Sequence, residues 1–162
     1  MSQTFRAVSV TRHDPRALPA PFAHATLLHD ERRVRRRVIR LADGDDVLVD
    51  FPQPVTLAAQ DCLKLEDGRL VGIVAAPENL YEVRGRDLTH LMQLAWHLGN
   101  RHTKTEIGVG ADGTAERLLI LRDHVLRDML RGLGAKVTDV VEPFSPMDGA
   151  YAHDHGHALL NR

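Results

Sequence analysis

Histidine is the residue type in this chain best suited to chemistry. Ten histidines occur among 162 residues, against a single cysteine, Cys62. Neutral imidazole nitrogen is a common metal ligand, so each histidine is weighed as a candidate ligand against a structural alternative. A Cys-rich zinc site and an internal disulfide both need more thiols than the chain has. Cys62 lies in a strand-like stretch and is expected to be a small buried residue.

Two histidines flank a predicted helix end in the stretch LMQLAWHLGNRH, residues 91 to 102. His97 falls in the last turn, Gly99-Asn100 is able to end the helix, and His102 follows directly. We predict His97 and His102 as metal ligands. The structural alternatives are an exposed residue on a solvated face for His97, which shares that face with His90, and a loop histidine bonded to a carbonyl for His102.

Further candidate ligands lie at a second helix start and in the C-terminal tail. His124 follows Asp123, where the positive end of a helix dipole disfavours imidazolium and keeps a nitrogen lone pair free for a metal. An exposed first-turn residue is the alternative. His153, His155 and His157 alternate in AHDHGHALLNR. Three imidazoles in a flexible tail can converge on one cation, whereas a random polar tail or part of a purification tag is the alternative.

The overall composition indicates a globular protein with no bulk attraction to nucleic acid or anionic lipid. Hydrophobic residues make up 43%, charged residues 27%, and the formal net charge is −1. No long apolar run is present, so we expect no signal peptide, no membrane span and a cytoplasmic location. Six arginines are concentrated in RRVRRRVIR, residues 32 to 40. This run fits either a docking face for an acidic partner or a charged, solvated edge strand.

The elements that must position these residues fall into two halves. Asp43-Gly44 and Asp67-Gly68 each separate two β-branched runs, which predicts two hairpins in an all-β N-terminal half. From Pro77 the pattern becomes β-α-β-β-α-β, with Asp87 and Asp123 as helix caps. The apolar stripe predicted for the first helix, from residues at helical spacing, comprises Leu88, Leu91, Met92, Ala95 and Leu98. The predicted fold class is α+β: an all-β domain (1–76), a ferredoxin-like βαββαβ domain (77–144) and a flexible tail (145–162).

Three motifs of the second half resemble the UreE family of urease accessory proteins, which deliver nickel. They are HLGNRH (97–102), LRDHVLRDMLRGLGA (121–135) and EPFSPMDGAY…HDHGH (142–157), in the family's order and at similar spacing. The first half is similar to the family mainly in its β character and in the arginine-rich strand before ADG.

The resemblance implies a nickel metallochaperone rather than an enzyme. It implies an N-terminal domain often called peptide-binding, and a homodimer with His102 at the interface, where a two-fold axis presents two imidazoles. Tail histidines from both chains would complete the shell around Ni²⁺, although Zn²⁺ or Cu²⁺ suits the same ligands. The implied partners are the accessory GTPase UreG and the apo-urease complex with its accessory proteins.

The sequence departs from the family pattern at two informative places. Some members carry a histidine two positions before the residue that matches His124, whereas this chain has Arg122. Some members have a long polyhistidine tail, whereas three histidines here indicate a carrier of few ions rather than a nickel store.

Two rival functions fit part of the pattern. A metal-dependent hydrolase would need a positioned general base, and the chain has no H-E-x-x-H motif and no suitably spaced carboxylates. A ferredoxin-like RNA-binding module would stack bases on sheet aromatics, but the strand segments TKTEIGV and RLLILR contain none.

Overall fold

A computed structural model of the chain describes residues 3–12 and 19–149. The chain divides into two compact units, of which one holds the residues up to Ala76 and the other spans Pro77–Met147. One unit is built from strands alone and the other combines strands with helices, so the predicted α+β fold class is confirmed. None of the helices in the described ranges has the length and apolar character that crossing a membrane requires.

The first unit is a six-stranded sheet with the order β2-β6-β5-β1-β4-β3. Its strands are β1 (Thr4–Arg12), β2 (Ala23–Leu27), β3 (Arg33–Arg40), β4 (Asp46–Thr56), β5 (Asp61–Leu65) and β6 (Leu70–Ala75). In β4 alternation buries one side of the strand: Val47, Val49 and Phe51 are buried while Leu48 and Asp50 between them are exposed. The central strands β5 and β6 are buried on both sides along most of their length. The core of this unit is mainly aliphatic, with Phe51 among its buried residues.

Both predicted hairpins of the first unit are present. Strands β3 and β4 pair in antiparallel fashion, as do β5 and β6. Gly44 has φ +91° and Gly68 has φ +85°, which are left-handed values that glycine adopts without steric cost. The parallel pairs β1–β4 and β2–β6 join strands that are distant in sequence, and the local pattern did not predict them.

The arginine-rich run forms β3, which lies at an edge of the sheet. Three of its arginines contact carboxylates on neighbouring strands and turns: Arg36 with Asp50 at 2.9 Å, Arg40 with Asp46 at 2.5 Å and Arg37 with Glu31 at 2.9 Å. These pairs offset much of the positive charge, as expected of a solvated edge strand.

The second unit is a four-stranded antiparallel sheet with two helices, in the order β10-β7-β9-β8. Its elements are β7 (Pro77–Arg84), α1 (Leu88–Gly99), β8 (Thr105–Val109), β9 (Ala115–Leu121), α2 (His124–Gly132) and β10 (Lys136–Pro143). This is the strand order of a ferredoxin-like βαββαβ fold, as predicted. Both helix caps are confirmed, because Asp87 accepts from the His90 N–H at 2.7 Å and Asp123 from the Leu126 N–H at 3.0 Å.

The predicted apolar stripe of α1 was wrong in its phase. The prediction comprised Leu88, Leu91, Met92, Ala95 and Leu98. The helix instead buries His90, Leu91, Leu94 and Leu98 against the sheet, and it leaves Leu88 and Met92 exposed. A histidine takes one core position because both of its ring nitrogens have hydrogen-bond partners, which removes most of the cost of burying them.

Candidate metal centre

Several of the predicted ligands lie at one end of the second sheet. Thr105, the first residue of β8, pairs with Ile120 near the end of β9. The loop before β8 carries His102, and the chain after β9 leads directly into His124. The sheet register therefore places both histidines at the same end of this unit, beside the last turn of α1 that carries His97.

His102 occupies a left-handed backbone position, with φ +53°. Its N–H donates to the Gly99 carbonyl at 2.9 Å, and the Thr103 N–H donates to the Leu98 carbonyl at 3.2 Å. This pair of bonds is the Schellman termination of a helix, in which the left-handed residue is usually glycine. The helix ends at Gly99 with Asn100 as its C-cap, as predicted, and the left-handed position follows two residues later at His102.

A side chain at a left-handed position costs about 1–2 kcal/mol. Strained backbone of this kind persists where the surrounding structure enforces it and is concentrated at functional sites. The Schellman bonds fix the His102 backbone, and its side chain is exposed to solvent. An imidazole is thus held at a defined place with its ring open to a ligand.

His97 is half-buried on the last turn of α1. Its ring packs edge-on against Trp96, with 5.2 Å between ring centroids. The guanidinium of Arg101 donates to its main-chain carbonyl at 3.1 Å. This bond caps a main-chain carbonyl at the helix end. The ring nitrogens of His97 take no part in it.

His124 is the first residue of α2 and is exposed. The residue two positions before it has a structural role, because Arg122 donates from Nε to the Leu80 carbonyl and from Nη2 to the Val140 carbonyl, both at 3.2 Å. Arg122 thereby connects the end of β9 to β7 and β10. Arg122 therefore supports the sheet, at the position where the resemblance implied a histidine in some members.

His90 is excluded as a metal ligand by its contacts. It is 3% exposed, its Nδ1 accepts from the Arg86 N–H at 3.2 Å, and its Nε2 lies 2.8 Å from the Leu133 carbonyl. These partners require hydrogen on Nε2, which leaves no free lone pair. The expectation that His90 shares a solvated face with His97 was wrong.

The described residues of one chain do not complete a metal site. Within residues 3–12 and 19–149, no group of three or more His, Cys, Asp or Glu residues could hold an ion. His153, His155 and His157 lie outside the described residues. Cys62 is buried, and burial together with the Asp61 charge raises the pKa of its thiol, so a thiolate ligand there is disfavoured.

Two carboxylates of the second unit, Glu82 and Glu142, are paired with arginines and are unsuited to acid–base catalysis. Arg117 contacts Glu82 at 2.8 Å and Glu142 at 2.7 Å, and Arg84 contacts Glu82 at 2.7 Å. The Arg84 guanidinium, with Arg117, lowers the pKa of Glu82. A general acid at neutral pH needs the opposite shift.

An exposed apolar face of α1 adjoins the histidines, and the sequence analysis did not find it. Met92 and Trp96 are each 65% exposed. With His97 and Leu133 they line a shallow depression of about 490 Å³. Exposed apolar side chains grouped in this way are typical of surfaces that contact another protein.

Comparison with known proteins decides the family. The family description "UreE urease accessory protein, C-terminal domain" matches residues 78–161, and "UreE urease accessory protein, N-terminal domain" matches residues 7–76. The chain belongs to the UreE family of urease accessory proteins. The predicted resemblance is therefore confirmed, and it extends over both halves of the sequence.

Individual UreE proteins are similar along nearly the whole chain. The urease accessory protein UreE of Mesorhizobium japonicum is 54% identical over 150 residues, which cover 93% of this chain and 74% of that protein. UreE of Brucella anthropi is 49% identical over 153 residues, covering 94% and 86%. UreE 1 of Brucella suis is 49% identical over 151 residues, covering 93% and 90%. Membership in this family indicates an accessory role in urease maturation and not catalysis.

Proposed function

We propose that this protein is a nickel metallochaperone for urease, which carries Ni²⁺ between two copies of His102 at the axis of a homodimer. The observation that carries the proposal is the left-handed conformation of His102. Glycine would serve the helix end better, so a ligand role gives a physical reason for an exposed imidazole there.

The exposed face of α1 supports a second copy of the chain as the partner at this site. Met92 and Trp96 place a large apolar area in water one to two turns before the helix end. In a two-fold dimer the same patch occurs on both surfaces, so a self-complementary apolar face can bury itself. A two-fold axis that passes near the C-terminal end of α1, beside Trp96, would bring the two His102 rings towards a shared site.

The proposed mechanism is ligand exchange without bond chemistry. Two imidazoles leave coordination positions of the cargo ion open, so a further ligand can enter before the first ones leave. The histidines at 153, 155 and 157 are proposed as those entering ligands, with His97 and His124 as secondary contributors. Binding weakens on acidification, because an imidazole must lose its proton to coordinate a metal.

The proposed recipients are UreG and the apo-urease complex with its accessory proteins, and the proposed location is the cytoplasm. Histidine nitrogen also binds Zn²⁺ and Cu²⁺, so competition between these metals is expected in the purified protein. Histidine ligands alone do not select nickel over Zn²⁺ or Cu²⁺. We propose that the receiving site on UreG provides this selectivity during delivery.

Calorimetric titration with Ni²⁺ tests the proposal. We expect His102→Ala to remove the tightest binding phase, whereas His24→Ala retains it. His24 is a control because it is also an exposed histidine but lies in β2 of the first unit, outside the proposed site. An unchanged isotherm for His102→Ala would exclude His102 from the carrier site.

A further inference from the structure

The segment Phe144–Met147, called the strap here, holds the start of the C-terminal tail against the sheet. Phe144 is 0% exposed and packs with Leu80, Leu119 and Val140. Along β7 and β9 these core residues alternate with Tyr81, Leu118 and Ile120, which belong to the core shared with the helices. The strap therefore covers the face of the sheet that carries no helix.

Two hydrogen bonds donated by backbone N–H groups of the strap attach it to the far edge of the sheet. The Ser145 N–H donates to Glu106 Oε2 at 2.5 Å, and the Met147 N–H donates to the Thr105 carbonyl at 2.9 Å. Both acceptors belong to β8, whereas the strap begins at the end of β10. These strands form opposite edges of the sheet, three strand spacings or about 14 Å apart.

The strap thus brings the origin of the tail to the His102 loop. Met147 is bonded to Thr105, which follows His102 by three residues. The prediction of a tail that is flexible from residue 145 omitted this attachment, because the segment contains Pro146 and few apolar residues. A single buried phenylalanine and two backbone donors suffice to hold it in the structure.

We propose that the strap is a positioning element of nickel transfer, which sets the effective concentration of the tail histidines at the His102 site. This inference rests on the proposed function. His153 follows Met147 by six residues but follows Pro143 by ten. Effective concentration falls roughly as the −3/2 power of tether length. Release of the whole strap is expected to lower the effective concentration of the tail histidines at the His102 site about twofold, because the tether becomes longer. It should fall further because the tether would then start at Pro143 on β10, at the opposite edge of the sheet from β8.

The test removes one strap hydrogen bond without touching a core side chain. Met147→Pro eliminates the backbone donor to Thr105, while Met147→Ala keeps the donor and shortens an exposed side chain. Both variants are titrated with Ni²⁺ in the full-length chain, and again in a chain whose His153, His155 and His157 are replaced by alanine. Circular dichroism confirms that each variant is folded.

Because Phe144 and the Ser145–Glu106 bond remain, Met147→Pro moves the start of the tether only to Ser145, eight residues before His153. We expect it to weaken nickel binding about 1.5-fold relative to Met147→Ala when the tail histidines are present, and to have no effect when they are absent. Equal weakening in both backgrounds would mean that the bond only supports the His102 loop, and would overturn the inference. No difference in either background would also overturn it.

The acceptor side provides a second test. Glu106→Ala removes the acceptor for Ser145, whereas Glu106→Gln retains a side-chain oxygen at the same place. We expect alanine to weaken tail-dependent binding and glutamine to restore it. If the triple-alanine tail binds nickel as the natural chain does, the tail part of the proposed function fails together with the inference. If that tail weakens binding while both strap variants leave it unchanged, the strap inference alone fails.

Discussion

His102, the proposed nickel ligand, has a backbone conformation that is unfavourable for a residue with a side chain. It takes the left-handed position of a Schellman termination, with its backbone fixed by Gly99 and Leu98. The sequence HLGNRH placed a histidine beyond the helix but did not reveal its conformation, because Gly99 and Asn100 are the more usual left-handed residues. A local rule therefore located the end of the helix and the candidate ligand, but it did not identify the left-handed residue.

Replacement of His102 by glycine is expected to separate stability from function. Relief of the left-handed strain should make His102→Gly more stable than His102→Ala by about 0.5–1 kcal/mol in free energy of unfolding, after allowance for the greater flexibility of unfolded glycine. Both variants should lose tight nickel binding. Urea denaturation measures the first effect, and a glycine variant less stable than the alanine variant would refute the strain argument.

At the scale of elements, local signals worked where local physics decides the structure. The Asp-Gly turns and the Asp87 and Asp123 caps were predicted because each depends on a few consecutive residues. The face of α1 was mispredicted because burial of His90 depends on the Leu133 carbonyl, which is distant in sequence. Periodicity also counts every apolar residue as core, so it cannot identify apolar residues that stay exposed, such as Met92 and Trp96.

A charged residue on the exposed face of α1 is expected to break the proposed dimer. Trp96→Glu places a carboxylate in the proposed apolar interface, and two-fold symmetry repeats this change on both subunits. Burial of these carboxylates is costly because no opposite charge or hydrogen-bond donor compensates for the lost hydration. Light scattering after size exclusion should then give a monomer. Val141→Glu is a matched control, since Val141 is comparably exposed on β10. Dimerisation of the Trp96 variant at the natural affinity would show that this face is not the interface.

The ion pairs that join β7, β9 and β10 should make the stability of the second unit sensitive to acid. Arg84 and Arg117 hold the pKa of Glu82 below its ordinary value of 4.5. A lowered folded-state pKa stabilises the fold fully above the unfolded value, and that stability is lost as the pH falls below 4.5 through the folded pKa. Glu82→Gln should therefore weaken the pH dependence of the urea midpoint below that value, and an unaltered dependence would contradict the assignment.

At the scale of the whole molecule, the change from β-type to helical periodicity after Pro77 predicted the α+β class, and the order of three motifs in the second half predicted the family. The parallel pairing of β1 with β4 and of β2 with β6 was not predictable from local pattern, since it depends on contacts between distant segments. Local sequence pattern also could not show how the proposed metal site obtains all of its ligands, because the described part of one chain supplies no group of three.

The central claim is that one cation is held by two chains through His102. Native mass spectrometry of the protein with the three tail histidines replaced by alanine measures this most directly, because it reports oligomer and bound nickel together. The account predicts one Ni²⁺ on a dimer, with the metal-bound species lost in His102→Ala. Nickel bound to a monomer, or one ion on each chain of the dimer, would contradict it.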